Sequence, residues 1–201
     1  MNKPELIIFD LGRVLVDFDF RKVIRSLKRY TKLSEKQIHQ YFKQTPLWDA
    51  FERGTVEPKD FFLRLSNELH LNKLSFKEFT PLWNSIFSEK HDSVSVLQRL
   101  RGRYRIALLS NVNIMHWEHL LETHDFIEWF DHPIASWEVG QRKPDLDIYR
   151  TTLHRAGVAP QHAVFIDDVE THVLAARSLG IQAYQFINAR QLIKDLDGIL
   201  E

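Results

Sequence analysis

Short, continuous apolar runs recur along the chain, and each has about the length of a buried β-strand. Runs of this kind, bounded by polar residues, are typical of strands that helices cover on both faces, as in parallel α/β sheets. Five strands are predicted on this basis: Leu6–Asp10, Ile106–Ser110, Pro133–Ser136, Ala163–Asp167 and Ile181–Phe186.

Helical patterns fill the gaps between the last four of these strands. A helix is predicted over 114–124, a second is expected to open at Pro144 and to stop before Gly157, and a third covers 170–179, where Gly180 closes it. Strands that alternate with helices in this way predict an α/β fold with a Rossmann-like, doubly wound parallel sheet.

The segment between the first two strands has a different character, because from 18 to 91 we find only helical patterns. Two capping-box patterns, each a serine followed three residues later by Gln or Glu, mark helix starts there: Ser34 with Gln37, and Ser75 with Glu78. We therefore expect an α/β core formed by 1–17 and 92–201, and a helical cap formed by 18–91.

Composition narrows the classes of protein to consider. The chain has 201 residues, and its 27 Lys and Arg balance its 27 Asp and Glu, which argues against a nucleic-acid partner or a polybasic membrane anchor. The absence of cysteine excludes disulfides, thiolate zinc sites and cysteine nucleophiles. No apolar run approaches the roughly 20 residues that span a bilayer, and no signal-peptide pattern opens the chain. We expect a cytoplasmic protein.

Polar clusters follow the predicted strands where each strand ends. Asp10 ends the first strand, Ser110 ends the second with Asn111 directly after it, and Lys143 lies in the loop after the third. The acidic pair Asp167-Asp168 ends the fourth. Open α/β sheets bind ligands at this edge, so we expect one crevice to collect all four clusters.

Three carboxylates in one crevice require a cation, because like charges raise one another's pKa. A divalent ion that prefers oxygen ligands, such as Mg²⁺, is the natural neutraliser. A lysine, a hydroxyl and backbone amides beside such an ion form a site that a phosphate dianion would fill.

At this point the sequence resembles the haloacid dehalogenase-like hydrolases, and among them the small phosphatases with a helical cap. The resemblance covers nearly the whole chain and consists of four motifs in the order typical of the family: FDLGRVL, LLSN, RKPD and FIDD. Within the family, the chain is most similar to the branch that resembles bacterial α-D-glucose-1-phosphate phosphatases.

The resemblance implies roles for the matched residues. Asp10 matches the nucleophile that attacks phosphorus and forms an aspartyl phosphate. Lys143 matches the lysine that pairs with both the nucleophile and the phosphate, and Ser110 and the backbone amide of Asn111 match the groups that bind phosphoryl oxygens. Arg142, beside the lysine, is expected to be solvated or peripheral.

The resemblance also implies a magnesium site. Asp168 matches the principal ligand and Asp167 its acidic neighbour, while Asp10 and the backbone carbonyl of Gly12 complete the set. His172 stands where the family often has asparagine, and we expect it to lie close behind the metal ligands.

Gly12 departs from the family pattern, because phosphatases of the family usually carry there an aspartate that acts as general acid and base. Such help is typically worth about 10²–10⁴ in rate. Three explanations stay open: a leaving group that needs little protonation, such as a sugar 1-phosphate or an acyl phosphate; a different proton donor; or a site that binds phosphate and turns over poorly. The candidate donors are Asp17, Asp19, Glu52 and His172.

These observations predict a Mg²⁺-dependent phosphatase of a small phosphorylated metabolite, with a sugar 1-phosphate as one candidate. Two alternatives are a 2-haloacid dehalogenase, whose family members also lack the aspartate at the position of Gly12, and a non-catalytic phosphate-binding module. The acidic pair at 167–168 favours phosphate chemistry over dehalogenation.

Overall fold

The five predicted strands form one parallel sheet in the computed structural model, which describes residues 4–200, with side chains up to 197. The strands are β1 (Leu6–Phe9), β4 (Arg105–Ser110), β5 (His132–Ala135), β6 (Ala163–Asp167) and β7 (Gln182–Gln185). Their order across the sheet is β5-β4-β1-β6-β7, with β1 at the centre. The architecture is an α/β, Rossmann-like fold, as predicted, and the strand ends differ from their predicted positions by at most one residue.

Helices cover both faces of this sheet, and successive side chains of β1 pack against one face and then the other. Ile7 and Phe9 pack with α6 (His91–Leu100) and α11 (Ala189–Leu200) through Leu97 and Leu192. Leu6 and Ile8 pack on the other face with α9 (Leu146–Ala156) and α10 (Glu170–Ser178). Continuous burial of the strand follows from this two-sided cover, and it explains why its sequence is apolar without alternation.

Eleven α-helices are present among the described residues. Their bounds are α1 Arg21–Leu27, α2 Glu35–Gln44, α3 Pro46–Glu52, α4 Pro58–Glu68, α5 Phe76–Asn84, α6 His91–Leu100, α7 Ile114–Thr123, α8 Ser136–Val139, α9 Leu146–Ala156, α10 Glu170–Ser178 and α11 Ala189–Leu200. Both capping boxes form as predicted, at the starts of α2 and α5. The predicted helix start at Pro144 is wrong: α9 begins at Leu146, and Pro144 follows a cis peptide bond in the preceding loop.

The expectation of helices alone between 18 and 91 is also wrong. Strands β2 (Val16–Phe18) and β3 (Phe87–Glu89) pair antiparallel. They join helices α1–α5, which form the helical insertion, to the sheet. Both strands are too short to show a period-two pattern in sequence. The domain limits at 17/18 and 91/92 stay a prediction.

The five helices α1–α5 enclose a core of their own, distinct from the two layers against the sheet. Its centre is aromatic: Phe51 stacks on Phe61 with 4.0 Å between ring centroids, and Trp83 is fully buried beside Phe79. Met115, from the first turn of α7, joins the same core and ties it to the α/β part. Among the described residues, no helix is long and apolar enough to cross a membrane.

Candidate active site

The carboxyl ends of three neighbouring strands bring the predicted site residues together. Because β1 pairs with β4 on one side and with β6 on the other, Asp10 lies between Ser110 and Asp167. All three side chains are buried or nearly so. The crevice expected from the sequence is present at this edge.

Lys143 enters the crevice from the loop after α8 and is 1% exposed. Its Nζ lies 2.6 Å from Asp10 Oδ1 and 2.6 Å from Asp167 Oδ2. A buried ammonium needs such partners, because an uncompensated charge in the interior is strongly destabilising. The pairing fixes the lysine beside the carboxylate for which the resemblance implies the role of nucleophile.

Asn111 holds this loop in place through its side chain. Its Nδ2 donates to the backbone carbonyl of Lys143 at 2.9 Å, and its Oδ1 accepts from the backbone N–H of the same residue at 2.8 Å. The sequence pointed to a phosphate-binding role for Asn111 but gave no sign of this pair of hydrogen bonds. Its side chain is therefore engaged in positioning Lys143.

Asp167 is held on several sides at once. Besides Lys143, it accepts a hydrogen bond from the backbone N–H of Val169 at 2.8 Å and contacts His172 Nδ1 at 3.0 Å. His172 thus lies directly behind an acidic residue of the site, where the sequence placed it. Asp168 is half-buried and lines the cavity in front of these groups.

The acidic groups are close enough to share a cation. Carboxylate oxygens of Asp10, Asp167 and Asp168 lie within 4.8 Å of one another. Set against the single ammonium of Lys143, three ionised carboxylates leave an excess of negative charge. An all-oxygen donor set with this excess fits a hard divalent ion such as Mg²⁺.

The pKa values of the site reflect burial and this charge balance. Burial raises the pKa of Asp10 to about 7, although Lys143 acts to lower it. Burial also raises the pKa of Asp168, and the negative charge of Asp167 adds to that rise. Burial alone would lower the pKa of Lys143, but Asp10 and Asp167 outweigh it, so that pKa is raised and the lysine stays protonated.

A cavity of about 200 Å³ opens in front of these groups and lies between the sheet edge and the helical insertion. Of the four candidate proton donors, Glu52 and His172 line it. Asp17 instead pairs with Arg13, and Asp19 pairs with Arg21 at 2.8 Å. The structure therefore reduces the candidates near the reacting groups to two.

Gly12 also lines the cavity, and the ring of Phe18 occupies the space beside it. A Cβ at position 12 would lie 3.2 Å from Phe18 Cε1, which is tighter than ordinary van der Waals contact. The edge of an aromatic side chain from β2 thus lies close against the position where the resemblance implies an acid and base.

Arg142 is expected from the sequence to be solvated or peripheral, but its side chain is only 29% exposed. It connects the loop that carries Lys143 to α3. Its guanidinium lies 2.7 Å from Asp49 Oδ1 and 2.9 Å from Glu52 Oε2. On the other side of the loop, Asp145 pairs with Arg53 of the same helix at 2.8 Å. Ion pairs on both sides of Lys143 therefore connect its loop to the helical insertion, and a single sequence gives no sign of them.

Comparison with known proteins places the chain among hydrolases. The family described as haloacid dehalogenase-like hydrolase matches residues 4–180. D-ribitol-5-phosphate phosphatase of Bacteroides thetaiotaomicron is 25% identical, with 96% of this chain and 97% of the relative covered. A sesquiterpene phosphatase of Aspergillus oryzae is 27% identical, with 87% of this chain and 85% of the relative covered.

A solved structure agrees with these relatives. A HAD family enzyme from Bacteroides thetaiotaomicron, crystallised in complex with magnesium and inorganic phosphate, superposes with a TM-score of 0.81. The two sequences are 27% identical, and the match covers 90% of this chain and 93% of the other.

Proposed function

The chain belongs to the haloacid dehalogenase-like hydrolases, and on that premise we propose that it is a Mg²⁺-dependent phosphatase of small phosphorylated molecules. The observation that carries the proposal is the group formed by Asp10, Lys143, Asp167 and Asp168. It joins a nucleophilic carboxylate, a buried ammonium and further acidic oxygens in one crevice, which suits the transfer of a phosphoryl group.

Asp10 is the nucleophile of the proposed reaction. Its carboxylate oxygen forms a bond to phosphorus while the bond between phosphorus and the leaving oxygen breaks, which gives an aspartyl phosphate and an alcohol once the leaving oxygen takes up a proton. Water then attacks phosphorus, inorganic phosphate leaves, and the Asp10 carboxylate is restored. Covalent catalysis divides one difficult displacement into two easier steps.

The other residues bind and orient the phosphoryl group. Lys143 stabilises negative charge on its oxygens, and the hydroxyl of Ser110 and the backbone amide of Asn111 donate hydrogen bonds to them. Burial makes these interactions stronger than they would be in water, since the local dielectric constant is low.

Asp10, Asp168 and the backbone carbonyl of Gly12 would hold Mg²⁺, with Asp167 as their acidic neighbour. The ion supplies charge neutralisation, which allows an anionic nucleophile and an anionic phosphate to approach each other. In this proposal Asp167 also keeps Lys143 in position. It accepts a hydrogen bond from Lys143 Nζ, and its own carboxylate contacts His172 Nδ1.

The relatives support phosphate-ester chemistry and differ in substrate. One is named for a polyol phosphate and the other for a sesquiterpene phosphate. A sugar 1-phosphate stays a prediction from the sequence, because it rests on the missing acid at Gly12 and on the resemblance to the glucose-1-phosphatase branch. The cytoplasmic location likewise stays a prediction.

The experiment that tests the proposal is a phosphate-release assay on a panel of sugar 1-phosphates, sugar 6-phosphates, acyl phosphates and nucleotides. We expect turnover that needs Mg²⁺, stops with EDTA and returns when Mg²⁺ is restored. Folded protein that releases no phosphate from any of these, and releases halide from 2-chloropropionate without metal, would replace the proposal with the dehalogenase alternative. Release of neither product would favour the non-catalytic module.

A further inference from the structure

We infer that the leaving group of the substrate is a small apolar alcohol with a ring, rather than a polyol or a sugar. The inference rests on the proposed phosphatase function and concerns the part of the cavity that lies away from Asp10. It is carried by the side chains that form the cavity wall and by the hydrogen bonds that their polar atoms already make.

The wall opposite the phosphate site is mostly apolar and largely aromatic. It is formed by side chains from β2, β3, α3, α7 and the residues next to them: Phe18, Phe20, Trp48, Ile86, Phe87 and Leu120. Such a wall gains stability by removing apolar surface of a ligand from water, and it offers little to a hydroxyl group. A polyol placed there would lose its hydrogen bonds to water without replacing them.

His116 is a polar residue in this wall, but both of its ring nitrogens are occupied. Its Nε2 lies 3.1 Å from the backbone carbonyl of Trp83 and its Nδ1 lies 3.0 Å from Asn113 Nδ2, so Nε2 donates and Nδ1 accepts. The ring stacks on Trp83 and meets Phe87 edge to face. Burial lowers the pKa of His116 to about 3, so the ring is neutral and contributes a flat, apolar surface.

Two charged side chains that line the cavity, Arg13 and Glu52, form ion pairs within the protein. Arg13 pairs with Asp17 and lies over the ring of Phe18, 4.3 Å from its centroid. Glu52 pairs with Arg142 at 2.9 Å. Each of these two charges is therefore balanced within the protein, although Glu52 Oε2 accepts no hydrogen bond.

The close approach of the Phe18 ring to Gly12 points to the same class of substrate. Phe18 extends the aromatic wall of the cavity as far as Gly12, the position where the family usually has a carboxylate. A leaving group that reaches the nucleophile there meets a ring and not a hydrogen-bonding group. Ring-bearing alcohols suit this contact, since aromatic rings attract one another beyond the burial of area.

The test compares two primary alkyl esters that differ in polarity, benzyl phosphate and D-ribitol 5-phosphate. Acetyl phosphate is the control, because its leaving group is small and does not depend on contact with the apolar wall. We expect kcat/KM for benzyl phosphate to exceed that for ribitol 5-phosphate by at least about tenfold, since burial of an aromatic group is worth a factor of this order. Turnover of acetyl phosphate with equal or better use of ribitol 5-phosphate would overturn the inference and leave the phosphatase intact. Release of phosphate from none of the three compounds in the presence of Mg²⁺ would overturn both the inference and the proposed function.

A matched pair of variants locates the effect in the wall. Phe20 and Phe42 belong to the same aromatic cluster, with 4.8 Å between their ring centroids, but only Phe20 is among the described lining residues of the cavity. We expect Phe20→Ser to reduce the preference for benzyl phosphate at least threefold, and Phe42→Ser to preserve it. Equal loss of preference in both would contradict a direct contact of Phe20 with the leaving group. Should either serine variant fail to fold, Phe20→Leu and Phe42→Leu take their place, and an unchanged preference in Phe20→Leu and Phe42→Leu would count against the inference.

Discussion

The ring of Phe18 lies close against the position of a side chain on residue 12, with Cε1 3.2 Å from where a Cβ on Gly12 would be. The ring is held there by the pairing of β2 with β3, in which Phe18 is opposite Phe87. The guanidinium of Arg13 lies over its face. A neighbouring aromatic side chain therefore leaves little room beside the position of the missing acid and base.

Restoring the family's aspartate tests this relationship. We predict that Gly12→Asp by itself gains far less than the roughly 10²–10⁴ that general acid catalysis can supply, because the new side chain crowds Phe18. The double variant Gly12→Asp/Phe18→Leu should exceed Gly12→Asp at least tenfold in kcat on alkyl phosphates, with a smaller gain on p-nitrophenyl phosphate. Phe18→Leu serves as the control, and a double variant no faster than Phe18→Leu would contradict the prediction.

Asp10 should be indispensable for turnover and dispensable for folding. We expect Asp10→Asn to show no detectable release of phosphate, because an amide cannot form the aspartyl phosphate. The thermal midpoint should stay close to that of the wild type, since Asp167 still accepts from Lys143. Phosphate release and circular dichroism melting measure the two effects. Activity retained in a clean preparation would remove Asp10 as the nucleophile.

The side chain of Asn111 should matter for both stability and rate. Asn111→Ala removes the two hydrogen bonds that hold the backbone of Lys143, and we expect it to lower kcat about tenfold or more and the free energy of unfolding by about 1–3 kcal/mol. Thr151→Val is the matched control, because it removes a 2.7 Å hydrogen bond to Gln141, which lies two residues before Lys143 in the same loop. Urea unfolding measures the loss of stability, and steady-state kinetics measures the loss of kcat. Equal kinetic losses in both variants would show that Lys143 needs no support from Asn111.

The ion pair between Arg142 and Glu52 should contribute to the free energy of unfolding. Arg142→Gln leaves the Glu52 carboxylate buried without its cation, and we expect a loss of about 2–3 kcal/mol at pH 7. Burial already raises the pKa of Glu52, against the attraction of Arg142, and removal of the arginine raises it further. The folded variant then binds a proton more readily than the unfolded chain, so its stability falls as pH rises from 5 to 7.

Three measurements follow from this pair. Urea unfolding of Arg142→Gln should give a smaller deficit at pH 5 than at pH 7, and the added substitution Glu52→Gln should recover stability at pH 7. Arg150→Gln breaks an exposed pair with Asp147 and should change stability by less than about 1 kcal/mol. A deficit that is the same at both pH values would mean that Glu52 is not the group responsible.

His116 should make the protein sensitive to acid. Its pKa is about 3 in the folded protein because burial lowers it from the ordinary value of 6.5. Between these two values the unfolded chain binds a proton that the folded protein does not, so stability is lost as pH falls from about 6.5 towards 3. At about 1.4 kcal/mol for each pKa unit, the effect is on the order of a few kcal/mol.

The variant His116→Gln removes this titration and should flatten the dependence of stability on pH between 6.5 and 4.5, relative to the wild type. Exposed His39 offers the control, His39→Gln, which should follow the wild-type curve. Urea unfolding of the three proteins at several pH values gives the difference directly, and contributions from the acidic site cancel in the comparison. Parallel curves for His116→Gln and wild type would contradict the assignment.

Local chemistry determined much of the fold and part of the site. The runs at 6–10 and 163–167 are apolar throughout because their strands are covered on both faces, so strand and sheet type could be predicted from the sequence. The polar residues after these strands could be assigned to one edge, since parallel strands end on the same side. The capping boxes at Ser34 and Ser75 were readable because their hydrogen bonds lie within four residues.

Contacts between distant parts of the chain were decided by the tertiary structure. Phe18 lies beside Gly12 because β2 pairs with β3, and that pairing joins two three-residue strands too short to leave a period in the sequence. Arg142 meets Asp49 and Glu52 across more than 80 positions, and a charged residue in a loop looks the same in sequence whether it is solvated or paired. The sequence thus determined which chemistry the strand ends can hold, whereas the packing of the helical insertion onto the sheet determined what surrounds it, because burial and ion pairing depend on neighbours in space.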